Sequence, residues 1–174
     1  MRYSCAGIGT WYSTRSRAAD CLRCSADLVR ARLQACGIEH ALINTGEWAA
    51  LGQPATGPGW TLGVANPRDE RVLIASLLMD GRSIASSADN QTTFSSDCRN
   101  HHIFDPHTGY SPPELSSVTV AANSCALADA LTKVMFVAGM QRGLALASQW
   151  QVDVLLVDKA GQWRASPGLK LIKA

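Results

Sequence analysis

Apolar residues recur at three- and four-residue spacing from Ser25 onward, where Leu28, Val29, Leu33 and Cys36 form one stripe. That period is helical. Ser25 is a suitable N-cap, Asp27 sits in the first turn, and Gly37 follows as the stop. The pattern then changes. His40-Ala41-Leu42-Ile43-Asn44 reads as a strand ending in the turn Thr45-Gly46-Glu47, and a Gly- and Pro-rich loop runs from Gly52 to Gly59. Strands are expected over Trp60–Val64, Val72–Met79, Ser83–Ser87, Cys98–Phe104 and Ser116–Ala121, with turns at Asn66-Pro67-Arg68-Asp69 and Asp80-Gly81. A helix is predicted over Leu127–Ala138 with Leu127, Leu131, Val134, Met135 and Ala138 on its apolar face. Gly139 ends it, and a second helix runs from Gln141 to Trp150. A buried-type strand, Val152–Val157, precedes the turn Asp158–Gly161 and the segment Trp163-Arg164-Ala165. Strands outnumber helices and do not alternate strictly with them, so the expected class is α+β rather than a doubly wound sheet.

The chain has 174 residues, 47% hydrophobic and 17% charged, with a net charge of +2. Such a composition folds, and one domain of this size buries roughly 70% of its unfolded surface. The basic residues are scattered and no Lys/Arg run is interleaved with aromatic residues, so a nucleic-acid partner has no electrostatic footprint. No apolar run approaches the ~20 residues of a membrane span. Met1-Arg2-Tyr3-Ser4-Cys5 lacks the apolar core of a secretory signal, and as written the chain is expected in the cytoplasm. Cysteines stand at 5, 21, 24, 36, 98 and 125. Cys21-x-x-Cys24 has no second pair at metal-ligand spacing, so free thiols are expected.

Candidate chemistry concentrates in His101-His102-Ile103-Phe104-Asp105-Pro106-His107-Thr108-Gly109-Tyr110. Asp105-Pro106-x-Thr108-Gly109 is a turn on local grounds. Two consecutive histidines lead into it, and one can face a pocket while the other faces away. Asp129 is expected at the start of the helix, either as a charge offsetting the N-terminal dipole or as an oxygen ligand to a hard cation such as Mg²⁺. A hydroxyl four positions on would share its helix face, but Lys133 stands there, with Thr132 three positions on. Asn44-Thr45-Gly46-Glu47 and Ser86-Ser87-Ala88-Asp89-Asn90 each follow a strand and can present short polar groups to a ligand, or simply connect elements.

In this order the segments resemble the ApbE family of flavin transferases, which move FMN from FAD onto a Thr or Ser of another protein. His102-Ile103-Phe104-Asp105-Pro106-His107-Thr108-Gly109 is similar to the family's H-I-I/L-D-P-R/K-T-G. Ser117-Val118-Thr119-Val120 followed by Ala128-Asp129-Ala130-Leu131 resembles its S-V-T-V and A-D-A-L segments. Ile84–Ala88 resembles A-T-S-G, Asn44–Glu47 with Ala50-Leu51-Gly52 resembles N-x-G-G/E and A-L-G, and Ala165-Ser166-Pro167-Gly168 matches a family ending. Cys5-Ala6-Gly7-Ile8-Gly9-Thr10-Trp11-Tyr12 is similar to the family's glycine-rich segment, with Ser4, Ala6 and Thr10 in place of Asp, Gly and Lys.

The resemblance implies an α+β, T-fold-like mixed sheet with grouped helices, lacking the N-terminal portion of members about twice as long. Residues 1–24 would be an irregular remnant of the glycine-rich segment plus an insertion, and residues 25–174 the transferase core. It implies His102 at the reacting centre and flavin binding by Thr45, Gly46, Glu47, Ser87, Asp105 and Thr108. Mg²⁺ would be held by Asp129, by Thr132 in place of the family's threonine, and by a carbonyl near Gly9. Alternatively, the Lys133 ammonium occupies the metal's place. The implied partners are FAD and an acceptor flavoprotein subunit of a redox complex. The family is mostly periplasmic or anchored at the inner membrane. The implied activity is FMN transfer, weakened by truncation and by Lys133; the alternative is an inactive FAD-binding accessory protein.

Overall fold

The computed structural model describes residues 25–172. The expectations for residues 1–24, among them the glycine-rich segment with Gly9 and the pair Cys21 and Cys24, lie outside the described residues. The elements in chain order are α1 (Ser25–Ala35), β1 (Ala41–Asn44), β2 (Trp48–Leu51), β3 (Thr61–Asn66), β4 (Asp69–Leu78), β5 (Ser83–Ala88), β6 (Leu115–Ala122), α2 (Cys125–Gln149), β7 (Asp153–Asp158), β8 (Trp163–Ala165) and β9 (Leu171–Ile172). They form a six-stranded sheet of order β1-β2-β5-β6-β7-β8 and a three-stranded sheet of order β3-β4-β9. The α+β class expected from the sequence is the class observed. In place of a mixed sheet, every described strand pair is antiparallel.

Side chains alternate across a strand, so a strand covered on both faces must be apolar or internally satisfied at every position. β6 is that strand: all eight of its residues are buried. Val118, Val120 and Ala122 pack on one face with Val154 and Leu156 of β7 against Ala128, Met135 and Phe136 of α2. Ala121, Leu155 and Val157 face the other way, onto Leu62, Val64 and Leu77 of the small sheet. The result is three layers, with both helices on one face of the large sheet. Ala26 and Leu33 of α1 join this face through Ile43, Ala49 and Cys125.

The antiparallel return of β7 follows from a break in α2. Gly139 has φ 74° and ψ −176° inside otherwise helical chain. The Glu114 carboxylate, next to the start of β6, accepts from the Met140 N–H at 3.0 Å and so caps the second helical segment. The first segment therefore descends from the end of β6 to its beginning, and the second climbs back. β7 then starts beside the end of β6, with Ala121 opposite Asp153. The sequence reading of two helical segments separated at Gly139 is the arrangement observed. At the other end of α1, Gly37 (φ 79°) closes a Schellman motif, with Ile38 N–H bonded to the Leu33 carbonyl and Gly37 N–H to that of Gln34.

Three local expectations are corrected. The predicted strand over Cys98–Phe104 is irregular, with one isolated β-bridge, Thr93 to His101, inside its own loop. Its polar flanks bond to nearby loop groups instead of a ladder. The predicted apolar stripe of α1 is inward only at Leu33, which packs beside the fully buried Ala26: Leu28 is 63% exposed, and Val29 and Cys36 are exposed too. On α2, Leu127 and Val134 are exposed while Ala128, Asp129, Thr132, Met135 and Phe136 face the sheet. Met135 and Leu131 of the expected face do reach the core, but the inner face is turned from the expected one because it carries two polar residues.

Replacing Gly139 with Ala would press a Cβ onto the Glu114 carboxylate and strain a residue at positive φ. The expected outcome is a loss of about 2 kcal/mol or more in urea unfolding, from strain and the displaced cap together. Stability equal to wild type would show that the turn between the segments is held by something else.

Candidate functional site

The loop over residues 89–114 carries the histidine-rich segment, and loops of such length in compact domains usually serve a function. Its shape comes from local hydrogen bonds. Asp105 N–H bonds to the Tyr110 carbonyl (2.9 Å) and Gly109 N–H to the Asp105 carbonyl (2.8 Å). The Asp105 carboxylate accepts from His107 N–H at 2.9 Å, and Thr108 Oγ1 accepts from Tyr110 N–H at 3.2 Å. The turn expected at this place is thus present, with Asp105 and Thr108 as its internal struts.

The two histidines separate as the alternation suggested. His101 is fully buried, its ring 5.3 Å from that of Phe136, and its backbone is held by the Ser111 hydroxyl. Burial, reinforced by the charge of Lys159, lowers its pKa below the ordinary histidine value, so it stands neutral in the core. His102 is half-buried, with Nδ1 3.3 Å from the Thr92 carbonyl oxygen. A carbonyl only accepts, so Nδ1 carries the hydrogen in this contact and Nε2 is left as the basic nitrogen.

Across from this loop, α2 presents Asp129 and Thr132 on its buried side. Ser124 caps the helix and helical residues begin at Cys125, so Asp129 lies in the second turn rather than at the start, where it was expected to offset the dipole. That role falls to Asp27 of α1, whose carboxylate oxygens accept from the N–H groups of Cys125 (3.0 Å) and Ala126 (3.1 Å). Thr132 Oγ1 donates to the Asp129 carbonyl at 2.7 Å and lies 2.8 Å from Ser87 Oγ on β5. Having one proton, Thr132 must accept from Ser87. The Lys133 ammonium pairs with the Asp129 carboxylate one turn away.

The candidate residues therefore gather unevenly. Ser87, Asp129 and Thr132 interlock. Phe104 and His107 of the histidine-rich loop share a cleft of about 360 Å³ with Lys133 and Arg142 of α2. Glu47 lies near the start of α2, within electrostatic reach of Cys125. Thr45 and Gly46 are exposed at the same β1–β2 turn, and Gly46 lines a different cleft of about 210 Å³ with Asn66, Ser86 and Ser117. Gly9 is outside the described residues.

A divalent cation does not fit the described residues as they stand. The Asp129 carboxylate holds Lys133, and the Thr132 hydroxyl is engaged by its own helix and by Ser87. No group of three or more His, Cys, Asp or Glu side chains that could hold a metal occurs among the described residues. At ~4 Å from the ammonium, a divalent ion would meet roughly 8 kcal/mol of repulsion at an effective dielectric of 20, so Lys133 would first have to leave. Cys125 offers no nucleophile either: burial pushes its thiol up to about 11.

The residues that sequence reasoning missed are those that fix the loop. Asp89 is fully buried and receives both Arg68 Nη atoms, at 2.6 and 2.8 Å, and Lys159 Nζ at 2.5 Å. Lys159 also donates to the Cys98 carbonyl at 3.0 Å. The cluster joins the β3–β4 turn, the end of β5, the β7–β8 turn and the histidine-rich loop. Nothing local in Ser86–Asn90 marks Asp89 as buried, since its partners lie 21 and 70 positions away. Burial alone would raise the Asp89 pKa, but the hydrogen bonds and charges of Arg68 and Lys159 outweigh it and hold the carboxyl below its ordinary value.

A carboxyl whose folded pKa is depressed contributes stability above its unfolded pKa and loses it as pH falls through the folded value. Asp89→Asn is expected to destabilise by about 3–5 kcal/mol near pH 7, the usual cost of removing one partner of a buried ion pair. The variant's stability should also decline less steeply below pH 4 than that of wild type. Parallel urea melts at pH 7 and pH 3 measure both, and an unchanged midpoint at pH 7 would contradict the role given to Asp89.

Residues 24–156 match the family model described as ApbE family. Among curated proteins, the FAD:protein FMN transferase of Klebsiella pneumoniae (strain 342) is 36% identical over 138 residues, covering 77% of this chain and 42% of that protein. The FAD:protein FMN transferase of Vibrio cholerae is 34% identical over 137 residues, covering 76% of this chain and 41% of that protein. The matched part of the chain thus spans less than half the length of each of these relatives. Among solved structures, the ApbE protein of Thermotoga maritima superposes with a TM-score of 0.71 at 28% identity, covering 84% of this chain and 50% of that one. The flavin transferase ApbE of Vibrio cholerae gives 0.67 at 31% identity, covering 81% and 46%. With the family model spanning most of the chain and the same fold in its solved members, this chain belongs to the ApbE family.

Proposed function

We propose that this chain acts in FMN transfer from FAD to a Thr or Ser hydroxyl of an acceptor flavoprotein, releasing AMP. The observation that carries this reading is the pairing of His102, with Nε2 left as its basic nitrogen, on a loop that shares a cleft with the Asp129 helix. The names of the relatives, FAD:protein FMN transferase, point the same way. In the reaction the acceptor oxygen forms a bond to the phosphorus of the FMN half, the pyrophosphate bond to AMP breaks, and the hydroxyl proton is lost. His102 is the group proposed to take that proton at Nε2, while Nδ1–H toward Thr92 fixes the ring.

Asp105 and Thr108 shape the turn that presents His102, and their exposed edges, with Thr45, Gly46 and Glu47, are the proposed flavin contacts. Ser87 is the proposed strut that holds Thr132 and hence the Asp129 turn of α2. Mg²⁺ is the cation the family resemblance supplies to neutralise the pyrophosphate. Asp129 would be its carboxylate and Thr132 its hydroxyl, with Gly9 adding a carbonyl, but Lys133 now holds that carboxylate. The acceptor is proposed to be a flavoprotein subunit of a redox complex. Among the described residues no helix is long and apolar enough to cross a membrane.

The test is to mix the 174-residue protein with FAD, Mg²⁺ and a peptide carrying an acceptor Thr, and to follow the peptide's mass. The expected outcome is a gain of one FMN unit. His102→Ala should lower the rate by at least about 100-fold, in the range typical of a lost general base, with FAD affinity largely kept. No mass gain with any Thr-containing acceptor would refute the transferase reading, and a parallel loss of FAD affinity in His102→Ala would refute the role of His102.

A further inference from the structure

We infer that in this chain Lys133 supplies the positive charge at the phosphate-binding end of the site, so that a flavin dinucleotide binds without a divalent cation. The inference rests on the transferase reading above and deepens it. Four observations lead to it.

The Lys133 ammonium is positioned by Asp129 across one helical turn, where an acid N-terminal to a lysine is the favourable order. It is not sealed off: the Lys133 side chain keeps 34% of its surface exposed while that of Asp129 keeps 8%, so the cation forms the accessible face of the pair. The adjoining cleft of about 360 Å³ runs from Lys133 to Arg142 and is lined by no Asp or Glu. With Lys133 and Arg142 against the single charge of Asp129, the cleft retains a positive excess suited to phosphate oxygens. Finally, its remaining wall is apolar or aromatic, through Phe104, Val137 and Leu146, which suits the planar ring of a nucleotide ligand beside its phosphates.

The arrangement also explains why Thr132 is not available as a ligand. Its hydroxyl donates to the Asp129 carbonyl and accepts from Ser87, and the residue is fully buried and does not line the cleft. Asp129 then serves as a positioning residue: it holds the ammonium near the cleft and keeps it from spreading into solvent.

The experiment titrates FAD into the 174-residue protein by fluorescence quenching, once with Mg²⁺ and once with EDTA, and separately measures Mn²⁺ binding by electron paramagnetic resonance. Wild type should bind FAD with equal affinity in both buffers and retain no Mn²⁺. Lys133→Met should bind FAD at least about ten-fold more weakly in EDTA, the loss expected for one charge-assisted hydrogen bond, and Lys133→Arg should restore binding. Lys133→Thr should acquire both Mn²⁺ binding and Mg²⁺-dependent FAD affinity. FAD binding by wild type that requires Mg²⁺, or stoichiometric Mn²⁺ on wild type, overturns this inference and leaves the transferase reading intact. Unaltered FAD affinity in Lys133→Met also overturns it. Absence of FAD binding in either buffer overturns both.

Discussion

A buried carboxylate, Asp89, sets the geometry of this molecule. A single ionised group inside a core is costly unless its lone pairs and charge are met, and here the guanidinium of Arg68 and the ammonium of Lys159 meet them together. The partners come from the small sheet and from beyond β7, so the ion cluster clamps the two sheets at one end. Lys159 carries the clamp into the loop by its bond to the Cys98 carbonyl. His101, buried against Phe136, and the bridge from Thr93 then settle where His102 stands. Local hydrogen bonds shape the turns of the loop, and this charge cluster and one buried ring anchor it to the rest of the fold.

The second constraint is the return of α2. The chain must leave β6 and re-enter the sheet as an antiparallel neighbour, and a straight helix would deliver it to the wrong end. Gly139 and the Glu114 cap solve this by turning the helix back on itself. The first segment is thereby fixed over β5 and β6, with Ser87 against Thr132 and the Asp27 carboxylate on the helix start. A helix face that holds Asp129 and Thr132 among Ala128, Met135 and Phe136 is expensive as core and useful as a site. The fold carries the polar pair because each group has a partner within the helix or on the neighbouring strand.

Much of the architecture was legible because period-2 and helical spacing report burial directly. The periodicity places β4, β5, β6 and β7 to within about three residues of their ends, and Gly139 marks the break in α2. The misreadings have one cause. Spacing assigns the most apolar stripe to the core, yet α1 turns Leu28 and Val29 outward and α2 turns Asp129 and Thr132 inward. The site was legible as a set of segments, through the turn chemistry of Asp105–Gly109 and the family resemblance. Its supports were not, since Asp89 with Arg68 and Lys159, Asp27 with Cys125, and Glu114 with Met140 are joined across long separations in sequence. Lys133 was visible as a departure at the fourth position after Asp129, and its pairing with that carboxylate follows from helix geometry.

The central claim is that the histidine-rich loop and the Asp129 turn of α2 form one flavin site. Amide hydrogen exchange measured with and without FAD tests it most directly. Bound FAD should slow exchange over residues 102–108 and 129–133 together, with smaller protection at 45–47, and leave β8 and β9 unchanged. Protection confined to the cleft around Leu144, Ser148 and Pro167, or absent from residues 102–108, would contradict the account.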